Sequence, residues 1–321
     1  MLRIRIRAVA PQTDYPWVAG LLSTARAEPV SPVDLFDEYH GSPPSGQVLR
    51  ERIAEAAVDG PVGYSRVFRL PWWAEGRYAI HIIVVPAHRG RGIGGLLYDD
   101  ATAWAASAGA TRYDAEMADD DETSLRFARH RGFAINRHLF SSSLAVNDFD
   151  PTPFAGTVDE VRSAGIRFFT LADESDTPAA RRKLYELNRA CSLEIPGREP
   201  TFSTFEQYQQ RNLSPERYRP ELCLCAADGD RWVGLCALVP EGTALYIRMT
   251  GVLSGYRGRK IAQALKLLAV DLAGRHGFAR LTTNNDAENA PMLAVNRKMG
   301  YRPQPGVYLL VKQCSAGETQ P

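Results

Sequence analysis

The chain has few cysteines, very little lysine and no long apolar run, and each scarcity argues against a class of protein. Its five cysteines (Cys191, Cys223, Cys225, Cys236 and Cys314) are odd in number, form no CxxC pair and all fall in the second half of 321 residues. That pattern is not a disulfide framework; it reads as small buried thiols in a reducing cytoplasm. Cys223 and Cys225 share one face of a strand, but no His or Cys partner stands at ligand spacing, so no metal site is expected. No window approaches the roughly 18 apolar residues of a membrane span. The first seven residues, Met-Leu-Arg-Ile-Arg-Ile-Arg, lack an apolar secretory core and read as a first strand. A net charge of +1 provides no broad field for nucleic acid or an anionic membrane. Of 38 basic residues only 5 are lysine, a bias of composition rather than a functional signal. With 45% apolar and 23% charged residues the chain is an ordinary globular protein, long enough for two domains of about 150 residues.

What is present is a repeat. Arg89-Gly90-Arg91-Gly92-Ile93-Gly94 returns 168 residues later as Arg257-Gly258-Arg259-Lys260-Ile261-Ala262. Laid over each other without gaps, 84–133 and 252–301 share 13 identities in 50 positions, where about three are expected by chance. The period is far longer than the roughly 20–50 residues of a solenoid, so this is a duplicated domain.

Each copy reads as mixed α/β. In the first, strands are predicted at 2–9, 47–57, 62–70 and 78–85, with a hairpin at Val58-Asp59-Gly60 and a helix near 15–25. Apolar residues at 93, 96, 97, 101, 104 and 105 predict a helix after the signature. A strand at 111–117, a helix to Gly132 and a closing strand to about 145 complete the copy. The second repeats the order, with strands at 166–171, 222–227, 232–239 and 245–252, helices at 177–192 and near 204–213, and helical spacing from 261 to 273. The boundaries read as a first domain over 1–146, a partly helical connection over 147–165, and a second domain over 166–321.

A Gly- and Arg-rich loop opening a helix presents unpaired N–H groups and the positive end of the helix dipole, a site for phosphate or pyrophosphate. Small residues allow close backbone approach and arginines add forked donors. A dinucleotide fingerprint, Gly90-x-Gly92-x-x-Gly95 with Asp114 as ribose acid, is the rival. Against it, four residues separate the strand from the first glycine, and the second copy has Lys260 and Gln263 at two glycine positions.

The segment Val84-Val85-Pro86-Ala87-His88-Arg89-Gly90-Arg91-Gly92-Ile93-Gly94 resembles motif A of the GCN5-related N-acetyltransferases (GNAT), patterned (Gln/Arg)-x-x-Gly-x-(Gly/Ala), and the second copy is similar. The resemblance covers roughly 2–145 and 166–313, as in tandem members of the kind that includes mycothiol synthase. It implies two splayed, mostly antiparallel sheets flanked by helices, with acetyl-CoA between the fourth and fifth strands of a sheet. By the same resemblance the cofactor contacts are Ile83, Val84, Val85, Arg89, Gly90, Arg91, Gly92, Ile93 and Gly94 in copy 1. In copy 2 they are Thr250, Val252, Arg257, Gly258, Arg259, Lys260, Ile261, Ala262 and Asn289. Lys260 stands in place of the motif glycine and counts against copy 2 unless its position is already helical, where a side chain costs little and its ammonium could lie near phosphate.

The tyrosine that often protonates the thiolate in this family is Ala128 in copy 1 and Asn296 in copy 2. Thr283-x-Asn285, Asn289 and Asn296 form a polar run in copy 2 that resembles tandem members. Copy 1 has Ala115, Met117, Asp121 and Ala128 there. Asn289 reads either as a helix cap or as a ligand contact. Glu194, Tyr246, Thr250, Asn289 and Asn296 are therefore the catalytic candidates. His81 is a weaker one in copy 1, and Trp72 and Trp73 read as packing residues. The expectation is N-acetyl transfer from acetyl-CoA to a small primary amine within a ternary complex, by a cytoplasmic monomer or homodimer, with no nucleic-acid or membrane partner. Copy 2 is read as catalytic and copy 1 as CoA-binding. A non-catalytic acyl-CoA sensor and a protein or peptide acetyltransferase are the alternatives. Selection of the acceptor is assigned to the loops around 26–46 and 193–220.

Overall fold

A computed structural model describes residues 3–26, 30–37, 46–195, 201–214 and 218–314. The chain forms two compact units. Unit 1 comprises residues 1–117, 121–136 and 308–321, and unit 2 comprises 118–120 and 137–307.

In unit 1 the strand order is β1 (Ile4–Ala8), β2 (Val48–Ala56), β3 (Gly60–Arg69), β4 (Arg77–Val84), β5 (Arg112–Ala118) and the end of β12 (Arg302–Gln313). The Asp59-Gly60 hairpin turns where Gly60 takes φ +70°. Helix α1 (Pro11–Arg26) and the short α2 (Pro32–Phe36) share a core in which Tyr15, Val18, Leu22 and Leu35 are buried with Ile53 and Tyr64. After the signature, α3 (Ile93–Ser107) packs on β3 and β4. It settles close because Gly63 has no side chain; a Cβ there would meet Leu97 Cδ1 at 3.0 Å. Helix α4 (Glu122–Arg129) starts on an Asp121 cap that accepts from Ser124 N.

Unit 2 repeats the plan. Its order is β6 (Ala134–Ala145), β11 (Arg280–Asp286), β10 (Ala244–Val252), β9 (Arg231–Glu241), β8 (Cys223–Asp228) and β7 (Ile166–Thr170). Helices α6 (Pro178–Leu193) and α7 (Phe205–Asn212) serve one core, and α8 (Ile261–Arg275) packs on β8, β9, β10 and β11 in the other. Gly234 does for α8 what Gly63 does for α3, since a Cβ there would meet Ile261 and Leu265 at 3.1 Å. Helix α9 (Ala290–Lys298) follows β11.

The compact units differ from the sequence halves at their last strands. The end of β12 lies in unit 1. Leu310 is fully buried there among Val67, Tyr78, Tyr113 and Phe133, Lys312 Nζ donates to the Tyr98 hydroxyl at 3.2 Å, and Cys314 N donates to Thr111 O at 2.8 Å. Conversely, β6 runs antiparallel to β11 from Leu139↔Asp286 to Ala145↔Arg280 and buries Leu144 in unit 2. The limits 1–146 and 166–321 thus part company with the compact units, because alternation reveals a closing strand but not its partner. The segment 147–165 is likewise part of unit 2. It contains α5 (Thr157–Ser163), and Phe154 and Val161 are buried in that core.

Within each unit the parallel pair before the signature opens into a wedge. Pairing of β4 with β5 stops at Ala79↔Asp114, and pairing of β10 with β11 stops at Ile247↔Thr283. Backbone groups of 80–84 and 249–252 therefore face a gap on that side. Among the described residues no helix is long and apolar enough to cross a membrane.

Candidate functional site

At the open end of each wedge the strand leads into a short 3-10 turn and then the signature loop. The loop is the same shape twice. Gly90 and Gly258 have φ +74° and +78°, and the residue that caps the following helix is left-handed, Gly92 at +83° and Lys260 at +61°. A Cβ on Gly90, Gly92 or Gly258 would meet nothing within 4 Å, so the loop's concave side is open. The signature arginine folds back on the strand. Arg89 Nε donates to Val84 O at 3.1 Å and Arg257 Nε to Val252 O at 3.3 Å. Ile93 and Ile261 are buried anchors below the loop, and Ala262 packs on the unit 2 core. Gly94 lies beneath Phe127, 3.2 Å from where its Cβ would stand. Ile83 and Val85 pack toward α1 and Val84 toward α3, so all three flank the wedge of unit 1.

Lys260 overturns one expectation. It is not yet helical but sits in the left-handed cap position that its counterpart fills with glycine. The loop needs a positive φ there in both copies, and a non-glycine residue bears that at a cost of about 1 kcal/mol. Its ammonium is also committed, donating to Glu160 Oε2 at 2.8 Å and Oε1 at 3.0 Å. Glu160 belongs to α5, and nothing in the sequence pattern marked it. Glu194, read as a candidate base, lies at the end of α6 and pairs with Arg257 Nη2. Arg259 lies over the Tyr256 ring at 4.9 Å. Two carboxylates thus pair with two of the three cations in the loop of unit 2, whereas no ion pair to Arg89 or Arg91 occurs among the described residues of unit 1. Exposed pairs of this kind are worth at most about 1 kcal/mol, so a pyrophosphate anion can displace them.

The two wedges also differ in their walls. Pairing of β3 with β4 from Gly63↔Val84 to Phe68↔Ala79 is regular. Pairing of β9 with β10 shifts between Ile247 and Met249, a bulge at Arg248. The bulge reverses which residues face α8. Leu245 and Ile247 do so before it and Val252 after it, while Met249 packs with the α6 core. Thr250 lies opposite Cys236, and its hydroxyl meets the Cys236 sulfur at 3.6 Å. Tyr246, half-buried on β10 opposite Val239, has its phenol pushed up by burial.

Facing β10 across the wedge is a hydrogen-bonded polar set that unit 1 lacks. Thr283 Oγ1 donates to Ile247 O at 3.3 Å, where the strands part. Asn285 Nδ2 donates to Ser142 Oγ at 2.8 Å and to Phe140 O at 3.2 Å, both on β6. Asn296 Nδ2 in turn donates to Asn285 Oδ1 at 2.8 Å. Asn296 is 3% exposed, yet its Oδ1 has no partner. An acceptor oxygen left unsatisfied in the interior is a recognition feature for an N–H group. Asn289 begins the helix that carries Asn296. Its side chain accepts from Met292 N and caps α9. His81 Nδ1 meets Arg66 Nη2 at 2.9 Å, Trp73 lies against Phe68 and Arg77, and Trp72 is exposed. The acceptor-selecting segments fall partly on 27–29, 38–45, 196–200 and 215–217, outside the described residues. No cluster of potential metal ligands occurs among those described.

The wedge, the open loop and a helix N-terminus suit a long ligand with a phosphorylated end. The model of the acetyltransferase (GNAT) family matches residues 16–133 and again 181–301. Among solved structures, the chain is similar to a GCN5-related N-acetyltransferase from Sphaerobacter thermophilus, at 22% identity and TM-score 0.68 over 98% of this chain and 97% of that one. It is also similar to a tandem GNAT protein from the clavulanic acid biosynthesis pathway, at 18% identity and TM-score 0.64 over 99% and 100%. A glucosamine N-acetyltransferase region of a fungal β-N-acetylglucosaminidase superposes at 14% identity and TM-score 0.69, covering 97% of this chain and 38% of that one. No curated protein sequence matches.

Proposed function

Because the chain belongs to the GNAT acetyltransferase family, with one family domain matched in each half, we propose that unit 2 transfers acetyl from acetyl-CoA to a small primary amine. In this reading unit 1 binds CoA without turnover. The observation that carries the assignment is the bulge between Ile247 and Met249, at the point where β11 leaves β10. Backbone N–H groups on a bent, unpaired strand are donors fixed in place for the charge that develops on a carbonyl oxygen. Strand β4 has no such bend over its recorded pairing with β3.

Acetyl-CoA supplies the activated carbonyl; the chain supplies alignment. The loop at 257–260 and the start of α8 fit the pyrophosphate. Asn296 Oδ1, buried and unpaired, fits an amide N–H of the arm. In this reading the acceptor nitrogen attacks directly in a ternary complex, since the hydroxyl and thiols described beside β10, Thr250, Cys236 and Cys191, are engaged or held protonated by burial. Thr250 is engaged with Cys236, and the Cys236 thiol is pushed up by burial. Near-zero net charge favours a small amine over a basic peptide.

A non-catalytic acyl-CoA-binding protein is the competing reading, and the Glu160–Lys260 and Glu194–Arg257 pairs are the observation in its favour. Release of free CoA thiol against a panel of small amines separates the two. Amine-dependent, multiple-turnover release is expected. Tight CoA binding with no release for any amine or peptide would support the binding protein instead.

A further inference from the structure

Among the described residues of unit 2, four buried polar side-chain atoms lack a hydrogen-bond partner: Gln263 Nε2, Lys266 Nζ, Asn296 Oδ1 and Tyr301 Oη. Their residues are 9%, 1%, 3% and 4% exposed. In the repeat register the counterparts are Gly95, Tyr98, Ala128 and Phe133. Unit 1 therefore has no unpartnered polar atom at any of these places, and its Tyr98 hydroxyl is bonded to Lys312. Buried polar atoms without a partner, present in one copy only, point to a partner from outside the fold.

The placement indicates which one. Helix α8 packs on β8, β9, β10 and β11, which include the two walls of the wedge. Gln263 and Lys266 are one turn apart on its buried face. Lys266 Nζ lies 4.6 Å from the centroid of the Tyr301 ring and interacts with Cys236, which is paired with Thr250 on the stretch of β10 that has parted from β11. The groups beside the ammonium are thus Cys236 from β9 and Tyr301 just before β12, and no carboxylate pairs with it among the described residues. Gln263 Nε2 and Lys266 Nζ are donors and Tyr301 Oη can donate, so these three suit an anion or an acceptor, whereas Asn296 Oδ1 is an acceptor and suits an N–H group.

We propose that Lys266, aided by Gln263 and Tyr301, receives the sulfur anion formed when acetyl leaves CoA and supplies its proton. This rests on unit 2 being the working half. The bond that forms joins the acceptor nitrogen to the acetyl carbon, and the bond that breaks is carbon–sulfur, whose electron pair stays on sulfur. The proton passes from the Lys266 ammonium to sulfur, and the proton shed by the acceptor nitrogen restores the ammonium. Burial lowers the Lys266 ammonium to about 8, close to a free thiol at about 8.5, which is the match that proton exchange needs. Asn296 stands where the family's tyrosine would do this work.

The test uses the full chain carrying Arg89→Glu, so that CoA binds only through unit 2, with and without Lys266→Met. Ionisation of the bound CoA thiol is followed by thiolate absorbance across pH. With Lys266 present the bound thiol is expected to ionise below the pH of free CoA. With methionine it should ionise at or above that pH, and kcat should fall about 100-fold with little change in the KM for acetyl-CoA. Methionine is apolar and of similar length, so the variant should fold. Identical ionisation curves in two proteins that both bind CoA would overturn the role of Lys266 alone. Failure of the Arg89→Glu protein to bind CoA would remove the unit 2 reading, and this inference with it.

Discussion

Replacing Leu310 with aspartate is expected to unfold unit 1 while unit 2 keeps its structure. Leu310 is fully buried among Val67, Tyr78, Tyr113, Leu125 and Phe133, residues more than 170 positions earlier in the chain. Truncation to alanine at such a site costs about 2–5 kcal/mol, and an unpaired buried carboxylate costs more. A domain stable by about 5–15 kcal/mol does not survive the larger figure with a useful margin. Four of the five tryptophans, Trp17, Trp72, Trp73 and Trp104, lie in unit 1. Tryptophan fluorescence during denaturation therefore reports chiefly that unit. The expected result is loss or a large downward shift of the fluorescence transition, with a second transition retained in far-ultraviolet circular dichroism. An unshifted fluorescence transition would mean that the end of β12 does not hold unit 1 together.

The second large effect concerns stability and pH. Lowering the Lys266 ammonium from 10.5 to about 8 corresponds to about 3 kcal/mol against its charged form. Below pH 8 the lysine is charged in the folded and unfolded chains alike, so the whole penalty is present. Between about 8 and 10.5 the folded amine is neutral while the unfolded one still binds a proton, and the penalty fades as pH rises. Lys266→Met should therefore raise the melting temperature of unit 2 near neutral pH by about 5 °C or more. The gap should narrow steadily from pH 8 to 10.5. A variant less stable than the natural chain at pH 7 would show that the ammonium has a partner in the fold. A gain in stability together with a loss of turnover would mark a residue kept for function at the expense of stability.

Much of this was legible in the residues. The signature loops, the Asp-Gly hairpins and the helical spacing after Ile93 and Ile261 are short-range features, fixed by local φ preference and side-chain periodicity, and the elements lie within a few residues of where the pattern places them. The destination of β12 was not legible, because alternation in 302–313 is satisfied by either sheet. The bulge at Arg248 was equally hidden: it is a register shift against β9, visible only once both strands are laid side by side. Lys260 misled because its chemistry suits an anion site, whereas its backbone angle and its bond to Glu160 come from the three-dimensional loop. Asn285 and Asn296 were marked as polar, but their link to Ser142 depends on β6 joining β11. Lys266 and Tyr301 carried a readable signal that single-copy reasoning passes over. They replace Tyr98 and Phe133 at positions whose neighbours are identical in both copies, as Leu97 matches Leu265 and Gly132 matches Gly300.

The working half is decided most directly by charge reversal in each loop. Arg257→Glu and Arg89→Glu each turn a guanidinium of the signature loop into a carboxylate beside a helix N-terminus, and each keeps its own core intact because both side chains lie at the surface. Steady-state release of CoA thiol with one responsive amine is the measurement. Arg257→Glu is expected to lower kcat/KM by more than about 100-fold, and Arg89→Glu to change it less than about threefold. The reverse pattern, with turnover lost in Arg89→Glu and kept in Arg257→Glu, would place acetyl transfer in unit 1 and contradict the account.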